Sequence, residues 1–160
     1  MSVAEVQVGL RSPDQFEPLV GPERMAEFLE AARRLREHLS GRVIWNVNST
    51  ATGGGVAELL RSLLAYTRGT GVDGRWVVVQ GTPEFFGITK RLHHALHGAR
   101  GDGSALGTHA RSVYEEVLRQ NVPELAALIG PNDVVLLHDP QTAGMIPHIA
   151  RTGAKVVWRC

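Results

Sequence analysis

Strands alternating with helices along 160 residues predict an α/β fold: a Rossmann-like, doubly wound and mainly parallel sheet with helices on both faces. Three observations predict it. Apolar runs at residues 43–47, 75–80 and 134–137 have the length and near-continuous apolar character of strands buried on both faces. Amphipathic segments of helical period separate them. Between the first run and its helix lies Asn46-Val-Asn-Ser-Thr-Ala-Thr-Gly-Gly-Gly-Val-Ala-Glu58, a polar, Gly-rich turn of the kind that lets a backbone cradle an anion at a helix N-terminus. The turn matches neither GxGxxG nor GxxxxGK[ST], so a dinucleotide fingerprint and a P-loop are both excluded.

The elements follow in order. Val3, Val6 and Val8 alternate and predict a short strand or extended arm. Residues 11–21 are punctuated by Pro and Gly and read as a loop pinned by Phe16, Leu19 and Val20. A helix opens at Pro22, a residue suited to the first helical position, and stops at Gly41. Its expected buried face is Met25, Phe28, Leu29, Ala32, Leu35 and Leu39. After the first strand, the helix over 56–66 is expected to bury Val56, Leu59, Leu60, Leu63 and Leu64. Residues 68–74 form a loop and 75–80 the next strand. Thr82 then caps a helix with Pro83 at its first position and Phe85, Ile88, Thr89, Leu92 and Leu96 roughly on one face. Residues 98–107, with four glycines, form a mobile loop. A helix over 109–119 is interrupted at Val122-Pro123, and a second short one runs to 129. After a turn at 131–133 comes the strand 134–137, then His138-Asp-Pro-Gln141, a short helix over 142–151 despite Pro147, and a last strand at 155–158. Trp45 and Trp158 read as core residues of their strands.

Composition narrows the function classes. Hydrophobic residues make up 43% and charged residues 21%, ordinary for one soluble domain over residues 1–160. A net charge of +1 gives no reason to expect a nucleic-acid partner. Cys160 is the sole cysteine, so no internal disulfide forms. With no signal-peptide layout and no apolar run of membrane-spanning length, a cytoplasmic location and no membrane partner are expected. His93 and His97 stand one helical turn apart beside His94. They lack the acidic residue of an HExxH pattern, so they read as a polar helix face and no metal is expected.

Right-handed crossovers put all parallel strand C-termini on one edge. Three polar clusters fall there: residues 46–55, residues 138–141, and Arg159. The candidate ligand contacts are Asn48, Ser49, Gly53, Gly54, Gly55, His138, Asp139, Gln141 and Arg159. The glycines offer backbone donors, and Asp139 and Gln141 suit a polyol. Asp139 also suits a helix cap, a role that can coexist with ligand contact; His138 suits a packing role, Arg159 a surface ion pair, and Asn48 and Ser49 the bracing of the turn. Glu58 is a lesser candidate, because its charge opposes an anion at that helix end.

The segment at residues 47–58, together with Pro83-Glu-Phe-Phe-Gly-Ile-Thr-Lys90, His138-Asp-Pro-Gln141 and Val157-Trp-Arg-Cys160, resembles in content and order the trehalose-forming retaining glycosyltransferases of glycosyltransferase family 4. That group includes trehalose glycosyltransferring synthases and retaining trehalose phosphorylases. The resemblance implies the N-terminal, acceptor-side half of a GT-B fold, whose C-terminal Rossmann-like domain is the missing partner. It implies transfer of glucose from a nucleoside diphosphoglucose, a co-substrate and not a cofactor, to glucose with retention and no obligatory metal. Family members carry a histidine just after Trp-Arg-Cys, so no catalytic residue is assigned and the 160-residue chain is expected to be inactive alone. The alternatives are a retaining trehalose phosphorylase and a stand-alone binding module, with a homodimer open in either case.

Overall fold

The computed structural model describes residues 3–160. Five strands form one sheet: β1 (Val3–Glu5), β2 (Ile44–Asn48), β3 (Gly74–Val79), β4 (Val134–His138) and β5 (Lys155–Arg159), in the order β1-β3-β2-β4-β5. β2, β3, β4 and β5 pair in parallel, and β1 adds antiparallel to β3 with Val3 opposite Val79. The Rossmann-like, mainly parallel expectation holds; the four parallel strands fall within one residue of those predicted, while β1 ends at Glu5, short of the Val6 and Val8 of the predicted strand or arm.

Alternation along the strands makes two cores. Trp45 and Val47 of β2, Val77 and Val79 of β3, and Val135 and Leu137 of β4 point to one face. There they meet α5 (Thr108–Leu128) through Leu118 and Leu125, and α7 (Ile146–Ile149) through Ile149. Trp76 and Val78 point the other way, onto Ala57, Leu60 and Leu64 of α3 (Gly55–Gly69). Burying Leu60, Leu64 and Val78 there contributes roughly 1.5–3 kcal/mol each before chain entropy is subtracted.

Two buried polar side chains lock the layers. Asp133 accepts from the backbone N–H of Val43 (2.9 Å), the indole N–H of Trp45 (2.9 Å) and the N–H of Gly130 (2.8 Å). Burial alone would raise its carboxyl, but these donors and the charge of Arg75 outweigh burial and hold it below the usual carboxylate range. Asn121 of α5 accepts from Gln80 N–H and donates to Gln80 C=O, both at 2.9 Å, so an amide satisfies the backbone just beyond β3.

Several expectations are corrected. In α2 (Pro22–His38) only Met25 is buried, while Phe28, Leu29 and Leu35 stay exposed. Phe28 and Leu35 line, with Leu63, an apolar groove of about 590 Å³ between α2 and α3. The stripe is real, but α2 packs chiefly on α1 (Glu17–Val20) and supplies no side chain to either sheet core. Leu59 and Leu63 of α3 and Leu96 of α4 (Pro83–Leu96) are exposed for the same reason: no layer covers those faces. Residues 13–20 are a 3-10 turn followed by α1 instead of a loop, and Leu19 is exposed instead of pinning anything.

Pro123 does not divide α5, because Val117, Leu118 and Asn121 before it and Leu125 after it bury one continuous face. That packing offsets the roughly 3 kcal/mol cost of an interior proline. Conversely, the single helix expected over 142–151 is two, α6 (Asp139–Ala143) and α7, with Pro147 in the first turn of the second. Trp158 is 37% exposed on an edge strand and donates its indole N–H to Asp139 C=O at 3.0 Å, whereas Trp45 is the core residue expected. Among the described residues no helix is long and apolar enough to cross a membrane.

Candidate functional site

Parallel pairing brings the ends of β2, β4 and β5 to one edge: His138 registers with Arg159, and Val47 with Leu137. On the α3 face of the sheet, His138 reaches diagonally to Asn46, with Nε2 3.1 Å from Asn46 Oδ1. An amide oxygen only accepts, so Nε2 carries the proton and Nδ1 presents a lone pair. His138 is 2% exposed, and its Nδ1 has no partner. Burial pushes the imidazole below its ordinary range, and the Arg159 charge adds to this against an opposing pull from Asp139. The ring is therefore a neutral, oriented acceptor at neutral pH.

Gln141 Oε1, in the first turn of α6, is a second buried acceptor without a donor. An unmet buried acceptor costs about 1–3 kcal/mol. Asp139 lies between the two with φ of 65°, the one left-handed non-glycine among the described residues. Its carbonyl accepts from Trp158 and from the hydroxyl of Thr142. Tyr114 clamps the segment from behind, donating to Pro140 C=O at 2.7 Å and accepting from Gly144 N–H at 2.9 Å. The half-buried carboxylate of Asp139 is thus carried on a strained backbone held from two sides.

The Gly-rich turn follows β2 at the same edge of the sheet. Asn48 spends its amide on the turn: Oδ1 accepts from the Trp76 indole (2.8 Å) and Nδ2 donates to Thr50 C=O (2.8 Å). Thr50 and Arg61 hold Thr52 and Ala51 in turn. Gly53 and Gly54 adopt φ of 73° and 82°, which side chains avoid, and α3 starts at Gly55. A Cβ at any of the three would meet nothing within 4 Å, so they face open space. The first intrahelical bond is Glu58 N–H to Gly54 C=O, which leaves the N–H groups of residues 55–57 for a ligand or solvent. Ser49 sits half-exposed on the turn, and Arg159 is exposed at the end of β5.

The edge therefore combines oriented acceptors, a carboxylate, a guanidinium and free backbone donors. A family profile described as the N-terminal domain of trehalose synthase matches residues 46–160, which hold every residue of this edge. This chain belongs to that family. It is 35% identical over 158 residues to a trehalose synthase of Pyrococcus horikoshii, covering 99% of this chain and 36% of the relative. A trehalose synthase of Rubrobacter xylanophilus is 34% identical over 158 residues, with 97% and 36% covered. A trehalose phosphorylase of Pleurotus pulmonarius is 29% identical over 148 residues, covering 89% of this chain and 20% of the relative. The chain spans about a third of the length of the trehalose synthases it matches.

Within the trehalose synthase family frame, the sequence-predicted residues divide. Asp139, Arg159 and Gly53 to Gly55 stand on the open edge, with Gln141 half-buried and His138 buried beneath it, whereas the Asn48 side chain is committed to bracing. Asn46 was missed as the residue that orients His138. The available signal was its parity: it shares a face with Asn48 in a strand otherwise apolar, two polar residues on one side.

Proposed function

We propose that this chain is the acceptor-side N-terminal half, in the GT-B sense, of a retaining glycosyltransferase that makes α,α-trehalose from a nucleoside diphosphoglucose and glucose. The observation that carries this reading is the pair of buried, donorless acceptors at His138 Nδ1 and Gln141 Oε1, inside the segment the family profile matches. Sugar hydroxyls donate to such atoms, and the Asp139 carboxylate beside them is a third acceptor.

In the reaction, the bond from the donor's anomeric carbon to the diphosphate oxygen breaks. A bond from that carbon to the acceptor hydroxyl forms on the same face, and the hydroxyl proton passes to the leaving diphosphate. What this half contributes is position and charge: polyol contacts from residues 138–141, and the α3 N-terminus with Arg159 toward the diphosphate. The grip on the nucleotide belongs to the sequence the relatives carry beyond the matched third. The 160-residue chain by itself binds sugar weakly and turns nothing over.

Nuclear magnetic resonance of this chain with glucose, trehalose and a nucleoside diphosphoglucose tests the reading. Shifts at His138, Gln141 and the 53–57 amides support it, and sugar-independent spectra overturn it. Retaining phosphorolysis is the second reading, favoured by the 29% identity to trehalose phosphorylases. Extending the chain with the carboxyl-terminal portion of a trehalose synthase relative separates the two. Nucleotide release upon trehalose formation supports the first, and glucose 1-phosphate from trehalose and phosphate supports the second.

A further inference from the structure

Three ligand-type side chains come together where no step above uses them. His93 and His97 stand one turn apart at the end of α4, their rings stacked with centroids 4.3 Å apart. Cys160, just past β5, brings its Sγ to 3.9 Å from His93 Nδ1, across 67 residues of sequence. One ligand atom from each of the three lies within 4.8 Å of the others. His97 Nδ1 is 2.9 Å from the His93 carbonyl, so it holds the proton and donates, and Nε2 is left as a free lone pair. A backbone carbonyl orienting a ligating imidazole in this way is the usual outer support of a metal-binding histidine. His93 is half-buried, while His97 and Cys160 are exposed, so an ion arrives from solvent without the fold opening.

We propose that His93, His97 and Cys160 form a binding site for a zinc-class divalent cation, with solvent in the fourth position. The donors decide the class. Magnesium and calcium take oxygen ligands, and the site offers two imidazoles and a thiol, which suit zinc. Zinc bonds of about 2.0–2.1 Å to nitrogen and about 2.3 Å to sulfur require the widest separation to close by about an ångström. Rotation of the exposed His97 and Cys160 side chains supplies that. Binding displaces the thiol proton to solvent. His94, whose ring stands 6.5 Å from that of His93 in an edge orientation, is outside the set.

The ion would fasten the end of β5 to the last turn of α4, closing a long loop as a cross-link does. Arg159, the residue before Cys160, would then be held at the sheet edge where the sugar site is proposed. The cation's role is a clasp beside the cleft and not a participant in transfer, so the site stands whether or not the glycosyltransferase reading does.

Cobalt titration of the reduced, chelator-treated chain tests it. One equivalent of Co²⁺ is expected to give a thiolate-to-cobalt charge-transfer band in the near ultraviolet. Zn²⁺ should bleach that band and raise the melting temperature. Cys160→Ser is expected to abolish the band, and His93→Gln and His97→Gln to weaken binding by at least about tenfold each. His94→Gln should leave binding unchanged, and far-ultraviolet circular dichroism checks that each variant is folded. Absence of the band overturns the proposal. So does equal weakening by His94→Gln and His93→Gln, or unchanged Zn²⁺ affinity in Cys160→Ser, since either means only loose chelation by a histidine-rich helix end.

Discussion

The Nε2–H of His138 donates to Asn46 Oδ1 at 3.1 Å, and this one bond decides which ring nitrogen faces the candidate site. Replacing Asn46 by Ala should leave a buried N–H unpaired and cost about 1–3 kcal/mol in urea unfolding. More diagnostic is the ring itself. Nitrogen-15 shifts of the imidazole should report one tautomer, with the proton on Nε2, in the natural chain and a mixture in Asn46→Ala. A single unchanged tautomer in the variant would mean that some other group orients the ring.

The same burial makes His138 an acid sensor. Its folded-state pKa is depressed below the ordinary value of about 6.5, chiefly by burial. The unfolded chain therefore binds a proton before the folded chain does, and stability rises with pH across that interval. The contribution is complete above about pH 6.5 and is lost as pH falls through the folded-state value. Chemical unfolding at a series of pH values should show that slope, and His138→Gln should flatten it. Asn46→Asp, which sets a carboxylate against Nε2, should pull the imidazole pKa back up and shrink the slope. Asp133, also depressed, acts in a separate and lower window, because carboxylates titrate near 4.

What was legible in the sequence follows from how each signal arises. The strands could be placed because continuous apolar runs have no other home than a sheet covered on both faces. The Gly53-Gly54 turn was readable because left-handed backbone demands glycine, and the convergence of residues 46–55, 138–141 and Arg159 followed from crossover handedness. Burial of α2 was not readable. Its apolar stripe at Phe28, Leu29 and Leu35 states that a face seeks cover, and not whether this chain supplies it. Nor was the continuity of α5 through Pro123, where tertiary packing outweighs local preference. The Cys160–His93 approach depends on which strand end lies beside which helix end, and residue types do not encode that.

Asp133 shows how much one buried carboxylate carries. Removing it leaves three donors, Val43 N–H, Trp45 Nε1–H and Gly130 N–H, without an acceptor. Asp133→Ala should be strongly destabilising, since each buried donor left unpaired costs about 1–3 kcal/mol. Asp133→Asn, which keeps an acceptor oxygen, should lose less. In a double-mutant cycle read by urea unfolding, Trp45→Phe should cost less in the Asp133→Ala background, because the indole N–H is already unpaired there. Additive losses would show that the Trp45–Asp133 bond contributes nothing of its own.

The three glycines of the turn separate stability from binding. Gly53 and Gly54 hold positive φ, so an Ala at either should destabilise by about 1 kcal/mol or more. Gly55 is outside the positive-φ set, begins α3, and would give a new Cβ open space, so Gly55→Ala should stabilise by up to about 1 kcal/mol. That methyl nonetheless projects where a diphosphate or sugar would lie against the first-turn N–H groups. A more stable protein with weaker binding of a nucleoside diphosphoglucose, measured by nuclear magnetic resonance titration, is therefore the expected signature of a ligand-facing turn. Undiminished binding in Gly55→Ala would show that the ligand never approaches this helix end, and the turn would be a connection between β2 and α3 alone.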